Sequence, residues 1–231
     1  MNWVISTGNE EIDMNFGGGL PLPSLMLIEG DHGSGKSAFT AQIIRGMLDS
    51  GMKVICITEN MPSDYIRKMK SITFDFSKAF FRNELSIVSL HSKQEWLEKS
   101  PLMLPVIGDF IEGQFQNINC VVIDSLSFLT LHNDTNSILD FLTKCKHLVA
   151  GGMSIVLTMH PDSMPQDVGL RLKSLCDVYL SLKSTNIGDK AVKVMNVIKL
   201  IGATTSPDSG FAFNVDSTFG IKIVPISMAS V

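Results

Sequence analysis

Charge is scarce in this chain: Asp, Glu, Lys and Arg make up 18% of its 231 residues, and the net charge is −4. A protein whose main partner is a nucleic-acid backbone usually carries a basic footprint, so DNA or RNA binding is disfavoured, except through a local basic channel in a ring. Long apolar runs are also missing. The most apolar stretch, residues 101–111, is well short of the roughly 18 residues that read as a membrane span. No basic segment followed by an apolar one suggests a secretory signal, so a soluble protein is expected. Cysteines are few and scattered: Cys56, Cys120, Cys145 and Cys176 form no C-x-x-C pair. They read as buried free thiols of a reducing cytosol, which argues against a disulfide framework or a thiolate metal site. Internal repeats and low-complexity linkers are absent as well, so neither a solenoid nor a tethered pair of domains is expected.

What the chain does have is a core. Hydrophobic residues make up 45% of it, enough for one α/β domain over residues 1–231 and too little length for two comfortable ones. Short apolar runs predict strands at 24–29, 53–58, 85–90, 120–124, 153–159 and 178–182. Helix-compatible stretches fall between them at 36–49, 63–71, 93–99, 103–115, 137–149 and 165–175. The clearest helix has Ile138, Phe141, Leu142, Cys145, Leu148 and Val149 on one face. A lead-in of a small strand at 3–6 and a helix at 10–15 precedes them. At the far end, 192–200 and 211–224 predict paired antiparallel strands joined by the loop 202–210. Strands alternating with helices imply a mostly parallel sheet between helical layers, closed by a C-terminal antiparallel hairpin region.

One segment carries most of the chemistry. Residues Gly30, Asp31, His32, Gly33, Ser34, Gly35, Lys36 and Ser37 fit the pattern G-x-x-x-x-G-K-[ST] completely. Glycines let backbone N–H groups turn inward around phosphates in conformations a Cβ would hinder. Lys36 would reach the β- and γ-phosphates, and the Ser37 hydroxyl would ligate Mg²⁺. Ala38 continues the segment into the helix, whose positive N-terminal end faces the same charge. A random chain of this length matches about 1% of the time on average composition. The strand before the loop and the helix after it are the confirming context.

The rest of a triphosphate site can be placed by strand ends. Asp124 closes the buried run Cys120–Asp124 and is the expected second Mg²⁺ ligand beside Ser37. The neighbour of that Asp is Ser125, so the Glu that some nucleotide-driven motors carry there is missing. Glu59, after the strand 53–58, is then the candidate catalytic base, although a lone Glu at a strand end is also what an ordinary loop presents. At the end of 153–159, Thr158 and His160 are candidates for sensing the γ-phosphate. His160, preceding Pro161, reads equally as a helix-entry residue. His32 is expected to contribute its backbone more than its ring.

These residues resemble the KaiC branch of RecA-type ATPases. The likeness rests on Gly17 to Pro21, the strand into Gly30, the end at Glu59, Asp124–Ser125, Leu175 to Asp177, and a tail running through Val197 to Gly202, Gly210 to Phe213 and Gly220 to Ile223. More narrowly, Ile5 to Asn9, Leu27 to His32 and Leu157 to Pro161 resemble the KaiC-like component of the archaellum motor. The resemblance implies a RecA/KaiC-like P-loop three-layer fold and a cytosolic protein binding ATP and Mg²⁺. It also implies a homo-oligomeric, hexameric ring beneath the membrane platform, working beside the motor ATPase FlaI, the platform protein FlaJ, and the scaffold FlaX or FlaC/D/E.

Two positions depart from the family pattern. KaiC-type ATPases usually carry paired glutamates where this chain has Glu59–Asn60. They also present Lys-Leu-Arg to the neighbouring subunit's nucleotide, where this chain has Lys199–Leu200–Ile201. Lys199 remains the candidate contact to a neighbour's phosphates. A missing arginine finger can cost on the order of 10³ in rate, so the reading is a nucleotide-binding regulatory subunit with slow or absent hydrolysis. The alternatives are an active KaiC-type ring ATPase or autokinase and, further off, a RecA-like DNA-dependent ATPase.

Overall fold

The computed structural model describes residues 3–90, 102–130, 133–187 and 190–225. Its elements in chain order are β1 (Trp3–Ile5), α1 (Glu10–Asn15), β2 (Leu20–Leu22), β3 (Leu25–Gly30), α2 (Lys36–Asp49), β4 (Val54–Thr58), α3 (Pro62–Lys70), α4 (Ser77–Phe81) and β5 (Leu85–Ser89). They continue with α5 (Met103–Gly113), β6 (Cys120–Asp124), α6 (Leu126–Thr130), α7 (Thr135–Ala150), β7 (Ser154–Met159), α8 (Gln166–Leu175), β8 (Val178–Ile187), β9 (Lys190–Leu200), β10 (Gly210–Asp216) and β11 (Gly220–Val224). The helix expected at 93–99 lies outside the described residues.

Nine strands form one sheet in the order β11-β10-β9-β8-β3-β7-β6-β4-β5. From β8 to β5 every pairing is parallel, and from β8 to β11 every pairing is antiparallel. The fold is the RecA/KaiC-like α/β type. The parallel strands read as continuous apolar runs because both of their faces are buried. Period-two alternation divides each run between two cores. Met26, Ile28, Cys56 and Val122 pack with Phe39, Ile43 and Met47 of α2. Leu25, Leu27, Ile55, Ile57 and Val121 pack with Leu104 of α5, Leu142 of α7 and Leu172 of α8. The result is a helix–sheet–helix sandwich whose strand ends all point one way on the parallel side.

Three departures from the sequence expectation have local causes. The run 211–224 is two strands, because the Asp216 carboxylate accepts from the N–H groups of Thr218 (2.7 Å) and Phe219 (3.0 Å) and Gly220 takes φ 72°. These turn the chain back on itself. Strand β8 runs on to Ile187 because β9 pairs with it along its length, from Val178↔Leu200 to Ile187↔Lys190. The short elements β2, α4 and α6 span three to five residues each, too few to show a period.

Asp177 fastens the start of this sheet. One carboxylate oxygen accepts from the Leu25 N–H (2.9 Å) and the other from Lys146 of α7 (2.7 Å). Charge-assisted bonds of this kind contribute about 1.5–3 kcal/mol. Asp177→Ala is therefore expected to cost about 2 kcal/mol, a Tm fall of about 4–8 °C at this chain length, read by thermal denaturation.

Candidate functional site

The parallel strand ends build a single edge. Register pairs Thr58 of β4 with Asp124 of β6, and Ile28 of β3 with Thr158 of β7. Glu59, Asp124, His160 and the loop after Gly30 therefore arrive at the same level. They enclose a cavity of about 590 Å³ lined by Asp31, His32, Gly33, Gly35, Lys36, Ser37 and Ala38 from the loop and α2, with Glu59, Asn60, Asp124, Ser125 and His160 from the neighbouring strand ends. A volume of this size suits a bound cofactor or nucleotide.

The loop is shaped by what it lacks. A Cβ on Gly30 would lie 2.6 Å from the Leu182 carbonyl oxygen and from Ser34 Oγ, whereas a Cβ on Gly33 would meet open space. Gly35 has φ 100° and sits against the Phe213 ring and the Lys193 stem, each 3.1 Å from where its Cβ would be. The loop thus winds tightly against β8 and β10 on one side and leaves the other open, as a phosphate cradle requires. Ser34 Oγ is buried without a hydrogen-bond partner among the described residues.

Lys36 opens α2 and folds over the loop. Its ammonium donates to the Gly30 carbonyl, to the Asp31 carbonyl at 2.9 Å, and to His160 Nδ1 at 3.3 Å. Burial lowers its pKa, and the charges of Asp124 and Asp31 oppose that shift. Asp124 is held by Thr158, whose hydroxyl donates to its Oδ1 at 2.7 Å. Burial raises the Glu59 pKa, and the Asp124 charge raises it further. Asn60 donates to Thr58 Oγ1 at 3.0 Å, fixing the turn that carries Glu59. The His32 and His160 rings stack with centroids 3.9 Å apart.

Several sequence candidates do not face this cavity. Gly30, Ser34 and Thr158 are buried behind the lining, where the Thr158 hydroxyl bonds the Asp124 carboxylate. Lys199 stands on β9, where its ammonium donates to the Ser174 carbonyl at 2.9 Å, outside the lining of its own chain's cavity. In its place β9 brings Lys193, and β10 brings Val215. The end of α3 adds Lys68 and Met69, and the turn after it Ser71 and Ile72. No local pattern marks these residues: Lys193 and Val215 arrive with the antiparallel tail, which folds across Gly35, and the other four because the end of α3 borders the cavity.

The site's fit to a nucleotide and Mg²⁺ follows from these features. The glycine loop leaves one side open, Lys36 supplies a cation, and Ser37 and Asp124, which both line the cavity, offer oxygen atoms of the kind that would suit Mg²⁺. Strand, glycine loop, helix and acidic strand end together define a P-loop nucleotide-binding protein of the RecA type. The family description "ATPase: KaiC" matches residues 5–228. The chain is 38% identical to the "Archaeal flagellar ATP-binding protein FlaH" of Sulfolobus acidocaldarius, across 98% of this chain and 99% of that one. It is 22% identical to the protein of the same name from Methanocaldococcus jannaschii, across 97% of each. The crystal structure of the flagellar accessory protein FlaH from M. jannaschii superposes with a TM-score of 0.85 over 94% of this chain and 96% of that one, at 19% identity. A KaiC-like protein from Pyrococcus horikoshii superposes with a TM-score of 0.76 over 97% of this chain and all of that one, at 20% identity. The chain belongs to the KaiC-type ATPases and, within them, to the FlaH family.

Proposed function

We propose that this chain is the ATP-binding regulatory and assembly subunit of an archaellum motor. In this reading Gly30 to Ala38 bind the triphosphate, with Lys36 on its β- and γ-phosphates. Ser37 and Asp124 would hold Mg²⁺. His160 would read the terminal phosphate, and Thr158 would act on it by orienting Asp124. ATP would stabilise a ring of identical single-domain subunits, six in the favoured form, in which Lys199 reaches the neighbour's nucleotide. The ring would sit at the cytosolic face of the membrane and meet the motor ATPase FlaI, the platform protein FlaJ and the scaffold FlaX or FlaC/D/E. The relatives named FlaH support the motor assignment. Among the described residues no helix is long and apolar enough to cross a membrane, which is consistent with attachment through partners.

The observation that carries the regulatory reading is an intact cradle beside a thinned catalytic set. Asn60 and Ser125 line the cavity where hydrolytic relatives place further carboxylates, and Ile201 stands at the arginine-finger position. A second reading, an active ring ATPase or autokinase, draws on Glu59, which lines the cavity with a raised pKa, as a proton acceptor should. Light scattering with and without Mg-ATP, paired with steady-state phosphate release, separates them. The regulatory reading expects ATP-dependent growth in mass and turnover below about one per second, under the usual enzyme range. It also expects Glu59→Gln to leave assembly intact. Faster turnover that Glu59→Gln abolishes would establish the enzyme instead.

A further inference from the structure

An ammonium has three hydrogen-bond donors and no acceptor. All three of Lys36's go to the protein itself: the Gly30 carbonyl, the Asp31 carbonyl and His160 Nδ1. Lys36 can only donate, so His160 Nδ1 accepts, and the imidazole is the neutral tautomer with its proton on Nε2. The ring is also fixed in place. Its backbone N–H donates to Ser127 Oγ at 2.8 Å, and the His32 ring covers it at 3.9 Å and 32°.

Binding a polyphosphate breaks this arrangement. To reach phosphate oxygens, Lys36 has to surrender at least one partner, and the 3.3 Å contact to His160 is the longest of the two whose lengths lie in the ordinary range. Charge-assisted bonds to phosphate are shorter and stronger than such a contact. The released Nδ1 is then a basic lone pair beside the anion that displaced it. We propose that the site takes up a proton on binding the nucleotide: Lys36 moves from His160 to the phosphates, and His160 Nδ1 is protonated from solvent and donates to the same phosphate group. This rests on the ATP-binding reading above.

The surrounding charges set the sign. The groups facing His160 are Lys36 from α2, Asp31 and His32 from the loop, and Asp124 from β6, while Glu59 and Lys193 line the same cavity. Before binding, burial holds the His160 pKa down, the Lys36 and His32 charges lower it further, and Asp124 and Asp31 oppose them. Binding adds several negative charges and removes Lys36 from Nδ1, so the bound state holds its proton more tightly. Affinity therefore rises as pH falls through the window between the two pKa values.

Calorimetry of Mg-ATP binding to the full chain, in two buffers of different ionisation enthalpy at pH 7, measures the proton count directly. We expect uptake approaching one proton, with affinity tightening about five- to tenfold from pH 7.5 to 6.5, since one linked proton gives at most about tenfold per unit. His160→Gln keeps a hydrogen-bonding side chain that does not titrate, and it should bind ATP with no uptake beyond the nucleotide's own. Histidine-selective NMR of the unaltered chain gives a second readout, in which the His160 signal becomes imidazolium on adding Mg-ATP. Binding without uptake, or equal uptake in His160→Gln, overturns the proposal while leaving the ATP-binding reading intact. An absence of binding at every pH overturns both.

Discussion

Replacing Lys36 by Ala is expected to weaken ATP binding about 100-fold, within the range set by losing one or two charge-assisted bonds of about 1.5–3 kcal/mol each. Calorimetry reads the affinity, and thermal denaturation gives an independent check. A ligand at 100 times its Kd stabilises the fold by about 2.7 kcal/mol, a Tm rise of about 5–10 °C at this size. In Lys36→Ala that rise should vanish while the unliganded melting point moves little. Asp31 and His160, which supply two of the three acceptors it leaves behind, line a cavity, where water can replace an ammonium. If the variant keeps both its affinity and its ATP-induced stabilisation, Gly30 to Ser37 is not the nucleotide site. Repeating the sizing measurement on this variant links binding to assembly: particles that still enlarge with Mg-ATP would show that some other contact drives association.

Much of this site could be read before folding because its parts lie at ends of elements that the sequence marks strongly. The loop between β3 and α2 is a contiguous motif. Asp124 closes an unbroken apolar run, and Glu59 follows another, Val54–Thr58. Parallel pairing then brings these ends to one edge, as the alternation of strands and helices implies. What stayed hidden depends on contacts between distant segments. Lys193 reads as one residue in a strand-forming run, and only the placement of β9 over Gly35 brings it to the phosphate loop. Thr158 was legible as a polar strand end. Its bond to the Asp124 carboxylate depends on the side-by-side pairing of β6 and β7. The stacking of His32 on His160 has no sequence signal at all, since the two residues approach only because β7 lies next to β3. Lys199 shows the reverse case. Its position in the tail matched a family pattern, yet within one chain its ammonium is taken by the Ser174 carbonyl of α8.

Asp124 is where the binding and hydrolytic readings meet, and Asp124→Asn is expected to remove most of the Mg²⁺ contribution to nucleotide affinity. The amide retains an oxygen to accept from the Thr158 hydroxyl, which now donates at 2.7 Å, so the strand end keeps its geometry and only the charge is lost. A neutral amide is a poor ligand for a hard dication that favours carboxylate oxygens. Titrations with ATP in excess Mg²⁺ and in excess chelator should therefore differ about 10-fold or more for the unaltered chain, on the order of one charge-assisted bond, and by little for the variant. The same change acts on two neighbours. Asp124 raises the pKa of both Lys36 and Glu59, so without it Glu59 returns towards the ordinary carboxylate range and becomes a weaker base. Lys36 then loses an opposing charge to its burial and holds its proton less firmly. ATP affinity measured in chelator should hold or rise slightly, because the substitution also removes the carboxylate's repulsion of the phosphates. A variant that binds Mg-ATP as tightly as the unaltered chain would move the metal ligand elsewhere on the cavity wall, with Glu59 the next carboxylate to replace. Loss of affinity equally in Mg²⁺ and in chelator would instead mean that Asp124 serves the loop through Lys36 and does not hold the metal.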